Sequence, residues 1–265
     1  LCEYTAKVQR AVLIRDYVID HLDEAFSKGY IQVYYQPVIR SISKTLCGLE
    51  ALARWIDPVY GFLKPSEFIP ALENTRQLYQ LDLYILEEVC KRLRACLDDG
   101  IPVVPISINL SRMDFLTCDI FTEVERRTQK YRIPHHLLCI EITESMFVQN
   151  AQEIRIILDH FREVGYQVWM DDFGSGYSSL NALKDYHFDE LKIDMDFLSN
   201  FTQRSKDIIQ STIHMSKKIG IRTLAEGVET EEQFRFLRDI GCEKIQGYFF
   251  GKPLPFDEMK AHILL

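Results

Sequence analysis

Two rhythms of apolar residues alternate along this chain. A helical spacing repeatedly gives way, through a glycine, to a short strand-like run that ends on a polar residue. Ile154, Ile157, Leu158 and Phe161 lead to Gly165 and a strand ending at Asp171. Ile208, Ile209, Thr212, Ile213 and Ile219 lead to Gly220 and a strand ending at Glu226. Phe234, Leu237 and Ile240 lead to Gly241 and a strand ending at Gln246. Leu78, Leu81, Ile85, Val89, Leu93 and Leu97 form a helix that stops near Gly100, and the stretch Ile101 to Leu110 ends on Asn109.

The remaining stretches fit the same plan. Residues 1–13 carry mixed charge without a clear period and read as a linker or the tail of a preceding domain, leaving 14–265 as the domain proper. Ile14, Tyr17, Val18, Leu22, Ala25 and Phe26 predict a helix up to Gly29, and Ile31, Val33 and Tyr35 a strand closed by Gln36 and Pro37. A polar turn at 41–45 precedes a second apolar run, Leu46 to Leu52, interrupted by Glu50. Pro58 to Pro70 reads as a loop, with Pro65 and Ser66 opening a short helix. Ser111 reads as the N-cap of a weakly amphipathic stretch reaching about Tyr131. Leu137 to Ile142 is apolar around Glu141, and Leu191 and Ile193 flank Lys192 in a short strand ending at Asp194.

The runs near 33, 49, 106, 140, 169, 192, 224 and 246 make eight strands alternating with helices, the pattern of parallel βαβ units. Eight units within 265 residues close most economically into a (β/α)8 barrel, with an open doubly wound sheet as the alternative. The polar residues favour the barrel. Glu50, Asn109, Glu141, Asp171, Asp172, Lys192, Asp194, Glu226 and Gln246 lie at or near the C-terminal ends of seven strands, which a closed barrel gathers on one rim.

Composition narrows the partners. With 31 basic against 39 acidic residues the net charge is −8, so a DNA or RNA polymer is a poor candidate ligand. Seven cysteines, an odd number with no CxxC pair, suit reduced thiols in a cytoplasmic setting. No apolar run approaches the roughly 18 residues of a membrane span, and no signal peptide is visible, so no membrane contact is expected of this segment. The chain begins with Leu1, which suggests a piece of a longer protein with a sensor or membrane segment upstream.

The densest chemistry lies in QVWMDDFGSGYSSL, residues 167–180. Adjacent carboxylates repel one another and stay ionised together most easily beside a cation, so Asp171 and Asp172 at a strand end read as a hard-metal site. A solvated turn is the plain alternative. Asn109 reads equally well as a helix cap, Glu50 as a partner of Arg54, and Lys192 as a structural partner of Asp194 or Asp171.

Nearly the whole chain, about 14–258, resembles the EAL-domain family of bacterial cyclic di-GMP phosphodiesterases. The motifs carrying the resemblance are Glu50-Ala51-Leu52 with Arg54 and Trp55, YYQP (34–37), FIP (68–70), NLS (109–111), EITES (141–145), DDFGSGYSSL (171–180), LKID (191–194), AEGVET (225–230) and QGYFF (246–250). The resemblance implies a (β/α)8 barrel whose first strand is antiparallel to the rest. It implies two ions, Mg²⁺ or Mn²⁺, one held by Glu50, Asn109, Glu141 and Asp171 and the other by Asp171, Asp172 and Glu226. It further implies Lys192, Glu50 and Asp171 as catalytic residues in hydrolysis of cyclic di-GMP to linear pGpG. Gln36, Arg54, Asp194 and Gln246 would contact the nucleotide, and Glu144 would brace the loop after Asp172. A homodimer and an upstream sensor or GGDEF-type domain are expected on the same ground.

Departures from the family pattern are Ser175 for Thr, Asp57 for His, His187 for Pro, and the segment Asn74 to Gln80. A silent cyclic di-GMP sensor or docking module is the rival reading, disfavoured because all six metal ligands are present. A barrel hydrolase acting on another phosphodiester is a second rival.

Overall fold

Eight strands close into a barrel in this computed structural model, which describes residues 2–144, 146, 151–174, 179–199 and 201–263. In chain order the strands are β1 (Ile31–Arg40), β2 (Leu46–Asp57), β3 (Gly61–Leu63), β4 (Ile106–Leu110), β5 (Leu138–Thr143), β6 (Gln167–Phe173), β7 (Glu190–Ile193), β8 (Arg222–Ala225), β9 (Lys244–Gln246) and β10 (Leu254–Pro255). The closed ring runs β1-β9-β8-β7-β6-β5-β4-β2 and back to β1. β1 is antiparallel to both its neighbours and the other barrel pairings are parallel, as the family resemblance implied.

The recurring glycine has a local cause. The helix Glu231–Asp239 ends with Gly241 in the left-handed region, φ +82°. The Gly241 N–H donates to the Arg238 carbonyl and the Cys242 N–H to the Leu237 carbonyl, both at 2.9 Å, which satisfies the last free carbonyls and turns the chain into the next strand. Gly100, Gly165 and Gly220 end their helices in the same way.

Inside the barrel, alternate strand residues form layers. Val38, Cys139, Trp169 and Leu224 come from four strands and meet in an apolar layer across the interior. Beneath it, at the N-terminal ends of the strands, Lys244 Nζ lies 2.5 Å from Glu190 Oε2 and 4.5 Å from the centre of the Trp169 ring. The mouth above therefore stands on a packed floor rather than on a pore.

Two expectations change. The second strand does not stop near Leu52; β2 continues to Asp57, where it pairs with β3 inside the presumed loop. Asp57 finishes this hairpin, accepting the Trp55 indole N–H and the Val59 and Tyr60 N–H groups. The stretch after Ser111 is two helices, Arg112–Thr117 and Ile120–Tyr131, because Cys118 is extended and Asp119 starts a new cap on the Thr122 N–H. The stretch ahead of Ile14, for which no period was expected, is helical within Cys2–Asp20, and this helix packs against Pro65–Asn74.

Candidate active site

Because side chains alternate across a strand, the in-pointing residue two places above each interior floor residue reaches the mouth. Asp171 stands two residues beyond Trp169 on β6, Lys192 beyond Glu190 on β7, Gln246 beyond Lys244 on β9 and Glu141 beyond Cys139 on β5. Glu50 projects from β2, and Glu226 follows β8, its N–H bonded to the Ile193 carbonyl at 3.1 Å.

Lys192 is the hub. Its side chain is 1% exposed, and its Nζ lies 2.6 Å from Glu141 and Glu226, 3.1 Å from Asp171 and 3.6 Å from Glu50. Its partners thus include Asp171, one of the two considered from sequence, together with three acids that are distant in the chain. Burial alone would lower the Lys192 ammonium, but Asp171, Glu141, Glu226 and Glu50 outweigh it and hold the pKa well above the ordinary lysine value.

The acids outnumber this cation. Glu50, Glu141, Asp171, Asp172 and Glu226 place five carboxyl groups around one ammonium, a formal excess of four negative charges when all are ionised, which the protein offsets in part by holding protons. Burial, reinforced by Glu50 and Asp171, pushes Glu141 up to about 8 against the pull of Lys192. Burial, with Asp171 and Asp194 nearby, raises Asp172 to about 6, and Glu226 is raised well above its ordinary value by burial and by Asp171 and Glu50.

The donor chemistry fits a divalent cation. Glu141 is fully buried, yet among the described residues its Oε1 has no hydrogen-bond partner, a costly arrangement for an oxygen without a ligand. Oxygens of Asp171, Asp172 and Glu226 lie within 4.8 Å of one another. All of these donors are hard oxygens, which suit Mg²⁺-like ions better than zinc. Asp172 takes φ +56°, where the β6–β7 register breaks between Met170 and Phe173, so its side chain is re-aimed relative to a regular strand.

Amides frame the acids. Asn109 Nδ2 donates to Glu50 Oε1 at 3.1 Å, whereas the helix cap is Ser111, whose hydroxyl and N–H donate to Asp114. Gln246 Nε2 donates to Glu50 and, at 3.1 Å, to Gln36 Oε1, while Gln36 donates to the Gly251 carbonyl at 3.3 Å. Glu144 is buried and accepts the Gly174 N–H at 3.4 Å.

Arg54 and Asp194 stand apart from the hub. Arg54 extends beside the Tyr34 ring, 5.8 Å from its centre, and donates to the Ala53 carbonyl. Asp194 accepts the Asp196 N–H at 2.6 Å and meets Asp172 side chain to side chain. Ser175, with the rest of 175–178, lies outside the described residues.

A cleft of about 240 Å³ opens above the acids. Gln36, Glu50, Asp171, Lys192, Glu226 and Gln246 line it. Sequence reasoning assigned no role to Met195, Glu229 and Tyr248, which also line it. Glu229 and Tyr248 fall within quoted motifs, which was the available signal. Met195 follows Asp194 directly.

These features define a (β/α)8 barrel whose mouth gathers oxygen donors able to hold metal. The chain belongs to the EAL domain family, whose profile matches residues 19–253. It is 35% identical over 240 residues to the oxygen sensor protein DosP of Escherichia coli, covering 90% of this chain and 30% of that protein. It is 32% identical over 249 residues to the bifunctional diguanylate cyclase/cyclic di-GMP phosphodiesterase MucR of Pseudomonas aeruginosa, covering 93% of this chain and 36% of that protein. A solved structure of the PaMucR phosphodiesterase in complex with c-di-GMP superposes with a TM-score of 0.86 at 31% identity, covering 92% of this chain and 99% of that one. The chain spans about a third of the length of these two curated relatives. Among the described residues, no helix is long and apolar enough to cross a membrane.

Proposed function

We propose that this domain hydrolyses one phosphodiester bond of cyclic di-GMP, using two divalent ions, Mg²⁺ or Mn²⁺, and releases linear pGpG. The observation that carries the reading is the gathering of five carboxyl groups around the single Lys192 ammonium, whose charge two divalent ions would balance on displacing their protons, together with Glu141 Oε1, which has no hydrogen-bond partner among the described residues. The substrate is supported by the likeness to MucR, a solved structure of which is a c-di-GMP complex.

Glu50, Asn109, Glu141 and Asp171 would hold one ion, and Asp171, Asp172 and Glu226 the other. When bound, such ions acidify a water and stabilise charge on phosphoryl and leaving oxygens. Lys192 keeps its proton among the acids, so its role is to orient the attacking water by donating a hydrogen bond. Gln36 and Gln246 hold one wall of the cleft and Glu50 in register. Arg54 meets a phosphate of the nucleotide and Asp194 a guanine edge, while Glu144 braces the backbone at Gly174. Water adds at phosphorus as one ribose oxygen leaves, so one ring bond opens and the second phosphodiester stays.

The same reading includes a homodimer, a cytoplasmic location and an upstream sensor or GGDEF-type domain, the last supported by the greater length of the relatives. The test is chromatography of cyclic di-GMP incubated with the domain and Mg²⁺ or Mn²⁺. pGpG should form, and Glu50→Ala should form none while keeping its circular dichroism. Nucleotide that binds but stays intact would make the domain a sensor instead.

A further inference from the structure

Close packing on the rim surrounds one short turn, Asp194 to Phe197, which leads from β7 into the helical turn Asp196–Ser199. Asp194 fixes the turn from within, its carboxylate accepting the Asp196 N–H and its carbonyl accepting the Phe197 N–H. On one side Met195 lies against Gly227, the residue after Glu226. A Cβ on Gly227 would stand 2.3 Å from Met195 Cβ and 3.2 Å from its Cα. On the other side the Phe197 ring lies against Gly174, two residues past Asp172. A Cβ there would stand 2.4 and 2.5 Å from two ring carbons.

Neither position has room for a side chain, and both glycines hold left-handed backbone, φ +66° and +97°. Phe197 is itself anchored in the apolar cluster of Ile193, Leu198, Ala225 and Val228. The turn is therefore wedged between the segment carrying Asp172 and the segment carrying Glu226. Asp172 occupies a sparsely populated backbone conformation, which persists where surrounding structure enforces it.

We propose that the Asp194–Phe197 turn is a strut that sets the spacing of Asp172 and Glu226, making Met195 and Phe197 positioning residues for the divalent ion these acids share with Asp171. The strut rests on the metal reading above. Residues that orient metal ligands typically change affinity by about 10–100-fold when lost. Because Asp194 also belongs to the nucleotide side of the mouth, the strut joins that side to the metal side mechanically.

The test is calorimetric titration of the purified domain with Mn²⁺, without nucleotide, alongside thermal melts. Phe197→Ala and Gly227→Ala should each weaken one of two bound ions by about ten-fold or more, leaving the other within about three-fold. Phe197→Leu, which keeps bulk against Gly174, should bind both ions nearly as wild type. Unchanged affinity in both variants would overturn the strut. So would equal weakening of both ions in step with lowered melting temperature, or a Phe197→Leu variant no better than Phe197→Ala. A wild type that binds no Mn²⁺ overturns the metal reading and the strut with it, whereas normal wild-type binding with unaffected variants overturns the strut alone.

Discussion

Replacing Lys192 with Met keeps most of the side-chain length and removes its charge. In the wild type the ammonium is all but inaccessible and touches carboxylates of Glu141, Glu226, Asp171 and Glu50. Removing one partner of a buried ion pair costs about 3–5 kcal/mol, because the remaining charge has no compensation. In a domain of this size each kcal/mol moves the melting temperature by about 2–4 °C, so without metal the variant should melt roughly 6–20 °C lower.

Divalent ions would return positive charge to the same oxygens. A ligand at about a thousand times its dissociation constant stabilises by about 4 kcal/mol, enough to offset most of the loss. Saturating Mn²⁺ should therefore raise the variant's melting temperature more than the wild type's. The melts belong at pH 9. Glu141 binds its proton more tightly folded than unfolded, so in the wild type the stability that proton confers is lost as pH rises through about 8; without the pull of Lys192 the variant keeps that proton to higher pH, so its deficit in EDTA should widen as pH is raised further. A Lys192→Met variant that melts with wild type in EDTA, or that gains no more from Mn²⁺ than wild type does, would refute the reasoning.

Other outcomes follow from separate parts of the fold. Asp171→Asn should weaken Mn²⁺ binding more than Asp172→Asn, since only Asp171 is assigned to both ions; equal losses in calorimetry would remove its bridging role. Lys244→Met breaks the buried pair with Glu190 on the barrel floor and should destabilise by about 3–5 kcal/mol in urea melts, with turnover per folded molecule unchanged. Burial raises the Asp114 carboxyl from 3.8 to about 6, against the pull of hydrogen bonds from Ser111 and the neighbouring Asp82, so the folded Asp82–Asp114 pair holds extra proton in that window. The stability it confers is lost as pH rises from about 4 to about 6, and urea melts of Asp114→Asn should show a flatter slope there.

The strands were legible because each is a short apolar run closed by a polar residue, and the barrel because those closing residues had to share a rim. What periodicity could not carry was pairing. β2 looks finished at Leu52 because Arg54 interrupts the run, yet its partners β1 and β3 hold it extended to Asp57. The segment ahead of Ile14 shows no amphipathic face, so its helix left no period to read. The metal-competent acids were visible singly, but the four contacts of Lys192 join residues up to 142 positions apart and exist only once the ring closes. The Glu190–Lys244 floor pair escaped notice for the same reason, since each residue alone looks like a surface charge in a short strand.

The central claim is that five acids carried by four strands, β2, β5, β6 and β8, grip two ions around one shared aspartate. Anomalous diffraction at the manganese edge, from crystals grown with Mn²⁺, tests it most directly. The account predicts two peaks about 3.5–4 Å apart, both within coordinating distance of Asp171, one also reached by Glu50 and Glu141 and the other by Asp172 and Glu226. No peak at the mouth, or a peak held by other residues, would contradict it.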